Sequence, residues 1–263
     1  MWNSSSFNPS RIVALLTDFG SKDHYVGVVK GRILSEVKKI YPLFVDLTHE
    51  IPPQDVKRGA LYLKFSYNYF PSGTIFLAVV DPEVGTERKA ILLISKNYFF
   101  VGPDNGIFSF ILKNKEVRCY EIIKARVLRP PYSSTFQARD LFAISVAKLL
   151  NEEPIEEWTI PISKDQVKTL PFPEPEKIPG GYKLSIWLID RFGNLITNFS
   201  KDLIKTPFEV WVNQKKVRLI NTYAEGQDQE IIALFGSEGL LEIAIKNGSA
   251  YEVLGEPEIF VKT

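Results

Sequence analysis

Ile12-Val13-Ala14-Leu15-Leu16-Thr17-Asp18-Phe19-Gly20 is the stretch from which the architecture can be read. Its first five residues form an unbroken apolar run. Such a run, halted by Thr, Asp and Gly, signals a strand buried on both faces that ends in a loop. Outward from it, Val26, Val29, Ile33 and Val37 recur at helical spacing, with Asp23 placed to cap that helix. Residues 43–47 read as a second strand. Asp55 then opens a second helix, with Val56, Ala60, Leu63 and Tyr67 on one face, and residues 74–80 form a third strand ending at Asp81-Pro82. This β-α-β-α-β rhythm predicts a parallel sheet with helices on its faces, an α/β, Rossmann-like domain.

Further along, residues 90–95 and 98–101 are apolar runs divided by Lys96-Asn97, which predicts a hairpin. Gly102-Pro103-Asp104-Asn105-Gly106 is a dense turn signal, and residues 139–150 carry a helical stripe of Phe142, Val146 and Leu149. Pro171, Pro173, Pro175, Pro179 and Gly180-Gly181 suit a stiff connector, because proline blocks helix and sheet interiors alike. Beyond it only short strand-like runs occur, at 184–189, 208–212, 217–220, 230–235 and 240–245. The expected organisation is an α/β N-terminal domain over residues 1–165, a Pro-rich linker over 166–182 and a smaller antiparallel β domain over 183–263.

Composition narrows the function classes. Thirty-two Lys and Arg stand against 31 Asp and Glu, so no basic field points to nucleic acid or an anionic membrane. Hydrophobic residues make up 45% and charged residues 24%, the mix of an ordinary globular protein. Cys119 stands alone, which excludes an internal disulfide and a cysteine-held metal, and His24 and His49 are too few for a His-rich zinc site. No apolar stretch approaches the ~20 residues of a membrane span, and the polar N-terminus lacks a secretory pattern. A cytoplasmic protein is therefore expected, in which the glycosylation-type triplets at Asn3, Asn198 and Asn247 are chance matches.

Three places could carry chemistry. Asp18 and Asp81 each follow an apolar strand directly, which puts both at the carboxyl edge where open α/β sheets bind ligands. Either alone is equally well explained as a turn cap; two at one edge point to function. Asp81 and Arg88 lie seven residues apart across a Pro- and Gly-turned loop and can fold back on each other, either as a surface ion pair or around a water in a dry pocket. Asp190, Phe192 and Asn194 offer an acid, an aromatic face and an amide at a strand end, suited to a ligand with an amine and a flat polar-edged ring. They also suit a plain hairpin turn. Other motifs fail. Asp18-Phe19-Gly20 lacks the catalytic loop that precedes the kinase motif, His49-Glu50 lacks the second histidine of a zincin, and no Gly-rich phosphate loop follows the first strand.

Taken together, the chain resembles the S-adenosyl-L-methionine (SAM) hydroxide adenosyltransferases, SAM hydrolases related to the fluorinase and chlorinase. The segments that carry the resemblance are 16–20, Tyr25-Val26-Gly27, 46–52, 81–88, 101–106, 135–140, 189–194 and Gly236-Ser237-Glu238-Gly239, in the same order. The resemblance implies an α/β domain followed by a β-barrel-like domain, and a homotrimer with sites between neighbouring subunits. It implies that Asp18 grips the ribose hydroxyls. Phe192 and Asn194 would stack on and hydrogen-bond the adenine, Asp190 and Ser237 would hold the methionine end, and Ser249 would donate to the adenine or stabilise its own hairpin. The reaction implied is an in-line attack of water or hydroxide on the ribose 5′-carbon, giving adenosine and methionine with SAM as substrate and no cofactor or metal.

One position departs from the family. Its water-activating trio is Asp, Arg and a His within Thr-Phe-His-Gly-Arg-Asp. Asp81 and Arg88 match, but here Gln137 and Ala138 replace His and Gly. Glutamine orients a water without taking its proton. A general base supplies about 10²–10⁴-fold, so a slowed hydrolase is expected. The alternatives are a SAM- or adenosine-binding protein without turnover and a halide-dependent adenosyltransferase.

Overall fold

The computed structural model describes residues 9–204 and 207–263; Asn3 lies outside them. The chain divides into two compact units, Met1–Leu170 and Pro171–Thr263.

In chain order the first unit comprises β1 (Ile12–Thr17), α1 (Tyr25–Glu36), β2 (Leu43–Thr48), α2 (Val56–Ser66), β3 (Ile75–Val79), β4 (Ala90–Ser95) and β5 (Tyr98–Pro103). It continues with β6 (Arg118–Ile122), α3 (Lys124–Val127), α4 (Ala143–Leu150) and β7 (Thr159–Ile162). One sheet runs β2-β1-β3-β5-β4-β6-β7. The β2-β1-β3-β5 part is parallel, as the β-α-β rhythm predicts, whereas β4, β6 and β7 pair antiparallel, so the sheet is mixed. Lys96 and Asn97 turn the β4–β5 hairpin with φ of 49° and 66°, the left-handed pair a tight hairpin demands.

The sheet is sandwiched because its central strands are apolar on both faces. Val13, Leu15, Leu77 and Val101 pack with Val29 and Ile33 of α1 and Leu149 of α4, while Ala14, Leu16, Phe76 and Phe100 pack with Leu63 of α2 and Phe108. Gly102 has a steric reason: a Cβ there would stand 2.2 Å from the Ala78 carbonyl oxygen on β3. Helix ends differ in kind. Asp55 caps α2 as expected, its side chain accepting from Arg58 N at 2.9 Å. Asp23 does not cap α1. The cap position is His24, which makes no side-chain cap bond, and no acid lies in the first turn. The helix expected over 139–150 starts as a π-helical turn, Ala138–Phe142, before becoming α4.

The second unit is a curled nine-stranded half-barrel. Its strands are β8 (Glu176–Ile178), β9 (Gly181–Leu184), β10 (Ile186–Ile189), β11 (Leu195–Ser200), β12 (Glu209–Val212), β13 (Lys215–Leu219), β14 (Ile231–Phe235) and β15 (Leu240–Ile245), then α5 (Ala250–Leu254) and β16 (Ile259–Lys262). All pairs are antiparallel except β13–β14, which is parallel. Part of the stretch expected as linker is strand, since β8 lies within it and Gly181 opens β9 beneath the Val261 carbonyl. Asn198 is buried in β11, where a glycan has no room, and donates to the Pro173 carbonyl at 3.0 Å. No described helix is long and apolar enough to cross a membrane.

Candidate active site

Within the first unit, Asp18 and Asp81 follow the neighbouring parallel strands β1 and β3, at the same sheet edge. Asp18 is held by its loop: Oδ2 accepts from Gln54 N at 2.9 Å, and Gly20 N donates to the His49 carbonyl at 2.7 Å. Beneath it Thr17 Oγ1 and His49 Nδ1 share a 2.8 Å hydrogen bond, and His49 Nε2 lies 3.1 Å from Asp46 Oδ1. Burial works to raise the Asp46 carboxyl. Hydrogen bonds from Lys30 and His49 outweigh it and hold the group below its ordinary range. Thr17, His49 and Gln54 therefore brace the loop that presents Asp18. Sequence reasoning weighed His49 only as a metal ligand.

Asp81 and Arg88 do close on each other. Arg88 Nε donates to Asp81 Oδ1 at 2.9 Å and to Oδ2 at 3.0 Å, and Nη2 also donates to Oδ2. Their side chains are 1% and 5% exposed for Arg88 and Asp81 respectively, which removes the surface-pair reading. The third partner is Gln137, whose Oε1 accepts from Arg88 Nη2 at 2.7 Å. A guanidinium only donates, so it selects the carbonyl end of the amide and leaves the Gln137 NH₂ as the outward group. The Phe142 ring lies 5.3 Å from the guanidinium carbon.

Aromatic contacts join this trio to Asp18. Phe136, beside Gln137, meets Tyr25 and Phe19 edge-on, with ring centroids 5.3 and 6.1 Å apart. The 133–137 loop is anchored by Asp140, which accepts from Ser133 N at 2.7 Å and from Arg139 Nε and Nη2 at 2.7 and 2.6 Å. Burial would raise the Asp140 carboxyl, but these partners prevail and lower it. Arg139 and Asp140 thus tie the loop to the start of the helix.

In the second unit the β10–β11 turn gathers the remaining residues. Asp190 Oδ1 accepts from the backbone N–H groups of Phe192 at 2.8 Å and Asn194 at 2.9 Å, and Oδ2 accepts from Asn194 Nδ2 at 2.9 Å. Gly193 packs on Ser249: a Cβ would meet Ser249 Oγ at 2.0 Å. Ser249 accepts from Glu252 N at 3.1 Å and starts α5. The Phe192 ring is 75% exposed beside the buried Asn194. Ser237 donates to Glu238 at 3.1 Å on the β14–β15 turn.

Two further residues belong to this cluster. Tyr223 Oη donates to Glu242 Oε2 at 2.8 Å and receives a hydrogen bond from Asn194 Nδ2 at 3.3 Å. Burial, with Asp190 and Glu238 nearby, raises the Glu242 carboxyl although Tyr223 counters it; burial and Glu242 likewise raise the Tyr223 phenol. An acid inside the otherwise apolar Leu-Leu-Glu-Ile-Ala-Ile strand was a readable signal. Nothing in the sequence marks Tyr223. Among the described residues no group of His, Cys, Asp and Glu could hold a metal ion.

These two units correspond to two family models. Residues 13–159 match the SAM hydroxide adenosyltransferase N-terminal domain and residues 184–257 match its C-terminal domain, so the chain belongs to the SAM hydroxide adenosyltransferase family. It is 36% identical to the (R)-S-adenosyl-L-methionine hydrolase of Thermus thermophilus, covering 94% of this chain and 97% of that one. It is 35% identical to that of Methanocaldococcus jannaschii, covering 89% and 88%. A fluorinase from Actinoplanes is 26% identical over 90% and 91%. A crystal structure of a conserved protein from Thermotoga maritima superposes with a TM-score of 0.85 at 31% identity, covering 95% of this chain and all of the other.

Proposed function

We propose that this chain hydrolyses S-adenosyl-L-methionine to adenosine and L-methionine. The single observation that carries the reading is the buried Asp81–Arg88–Gln137 trio at the edge occupied by Asp18, in a chain whose relatives are named for this hydrolysis. A water or hydroxide oxygen attacks the ribose 5′-carbon, the C5′–S bond breaks with its electron pair passing to sulfur, and methionine leaves neutral. The sulfonium supplies the leaving tendency, so the protein's part is positioning, worth up to ~7–11 kcal/mol, and a dry pocket for the nucleophile.

In this reading Asp18 grips the ribose hydroxyls, Phe192 and Asn194 hold the adenine, and Asp190 and Ser237 hold the methionine end, with Ser249 supporting the Asn194 turn. Gln137 offers the nucleophile N–H donors, because Arg88 already occupies its carbonyl. Donors stabilise an oxygen that carries negative charge and abstract nothing, so the reacting species is hydroxide drawn from solvent and held by Gln137 and Arg88. No cofactor is required. The sites are proposed to form between neighbouring copies of a cytoplasmic homotrimer, and neither nucleic acid nor a membrane is a partner.

The test is direct: purified protein incubated with SAM should release adenosine and methionine in equal amounts, separated chromatographically. No adenosine over hours at high enzyme concentration overturns the proposal. One observation favours a second reading, a binding protein without turnover, since the third member of the trio is an amide, which takes no proton from a water. Calorimetric SAM binding without products would establish it.

A further inference from the structure

The hydrogen bonds of the Asn194 side-chain amide all run outward from its nitrogen. Its Nδ2 has two protons, and both are placed, one on Asp190 Oδ2 at 2.9 Å and one on Tyr223 Oη at 3.3 Å. Tyr223 can accept there because its own proton is given to Glu242 Oε2 at 2.8 Å. Both routes therefore end on a carboxylate, directly at Asp190 and through a phenol at Glu242. Turning the amide over would set Asn194 Oδ1 against the Asp190 oxygen, acceptor against acceptor. The backbone adds a second restraint, since Asp190 Oδ1 already accepts from Phe192 N and Asn194 N and cannot rotate away. Asn194 is 7% exposed, and its carbonyl oxygen is the one polar end of the side chain left without a partner among the described residues.

We infer that Asp190 and the Tyr223–Glu242 pair lock the Asn194 amide as a pure acceptor, and that this makes the site select a purine bearing a 6-amino donor over one bearing a 6-oxo group. The inference rests on the proposed reading that Asn194 faces the purine edge. Asn194 is the specificity-determining residue; Asp190, Tyr223 and Glu242 are positioning residues that act through it. A 6-oxo purine would bring its oxygen against the locked Asn194 oxygen. A buried polar group left unpaired in this way is what lets a site reject a near-isosteric analogue strongly.

The experiment compares adenosine with inosine by calorimetry. Free nucleosides lack the methionine end, so any part Asp190 plays there does not enter the readout. Wild type should bind adenosine about tenfold or more tightly than inosine. Asp190→Asn combined with Glu242→Gln replaces an acceptor by a donor at both ends of the network, and should narrow that ratio about tenfold or reverse it. Tyr223→Phe, which removes only the longer contact, should reduce the ratio by a factor of about two to five, the size of one weak hydrogen bond, and decides the matter if the double variant does not fold. Equal binding of the two nucleosides by wild type, or an unchanged ratio in the folded variants, overturns the inference. The hydrolase reading is judged separately on SAM. Wild type that hydrolyses SAM but does not discriminate between the nucleosides sinks the inference alone; wild type that discriminates but releases no product sinks the hydrolase reading alone.

Discussion

At position 137 the amide carbonyl is bound by Arg88, and the group turned outward donates rather than accepts. If hydroxide is the nucleophile, kcat/KM should rise about tenfold per pH unit from 7 to 9 with no levelling near ~6.5, the ordinary histidine value. Gln137→His should raise the neutral-pH rate by about 10²–10⁴-fold and introduce a plateau, read from steady-state pH profiles. Asp81→Asn should reduce product formation severely. It should also lower stability by about 3–5 kcal/mol in denaturant titration, because a buried guanidinium is left without its carboxylate. Asp18, Asp81 and Arg88 were readable because each sits where a strand ends or a loop closes. His49 and Tyr223 were not readable as site residues, since their importance comes from partners 32 and 29 positions away in sequence.

Among elements, the strands with unbroken apolar runs were evident, and so was the β4–β5 hairpin from Lys96-Asn97. The strands β6, β7, β11 and β16 were missed for physical reasons: Arg118-Cys119-Tyr120-Glu121-Ile122 mixes charge into its pattern, and Pro161 stands within β7. Buried Asn198 and Thr197 disguised β11 as a polar stretch. Gly102→Ala should cost about 1–3 kcal/mol or more in thermal unfolding, since backbone oxygen blocks the new methyl group. The Asp140 tie has a pH signature. Its folded carboxyl is held below the ordinary 3.8, so its stabilisation is present above that value and is lost as pH falls through the folded value. An Asp140→Asn variant should therefore be less stable than wild type at pH 7, with the gap closing below about pH 4 in pH-dependent denaturation. Glu242 carries the opposite sign. Its raised carboxyl makes stability fall as pH climbs from 4.5 through the folded value, and Glu242→Gln should flatten that decline.

At the scale of the molecule, an α/β unit followed by a β unit was legible from the change of period at the proline-rich stretch. That stretch carries β8 and the start of β9, because Pro175 and Pro179 fall outside both strands and β8 is a short strand at the sheet edge. If active sites are completed by a neighbouring copy, specific activity should fall on dilution to low nanomolar protein, in step with loss of a trimer mass by light scattering. The central claim is that a solvent oxygen becomes the 5′-hydroxyl of the nucleoside. Running the reaction in oxygen-18 water and weighing the adenosine by mass spectrometry tests it most directly. One heavy atom per adenosine, located on the 5′-oxygen, is the predicted result; adenosine without the label, or no adenosine at all, contradicts the account.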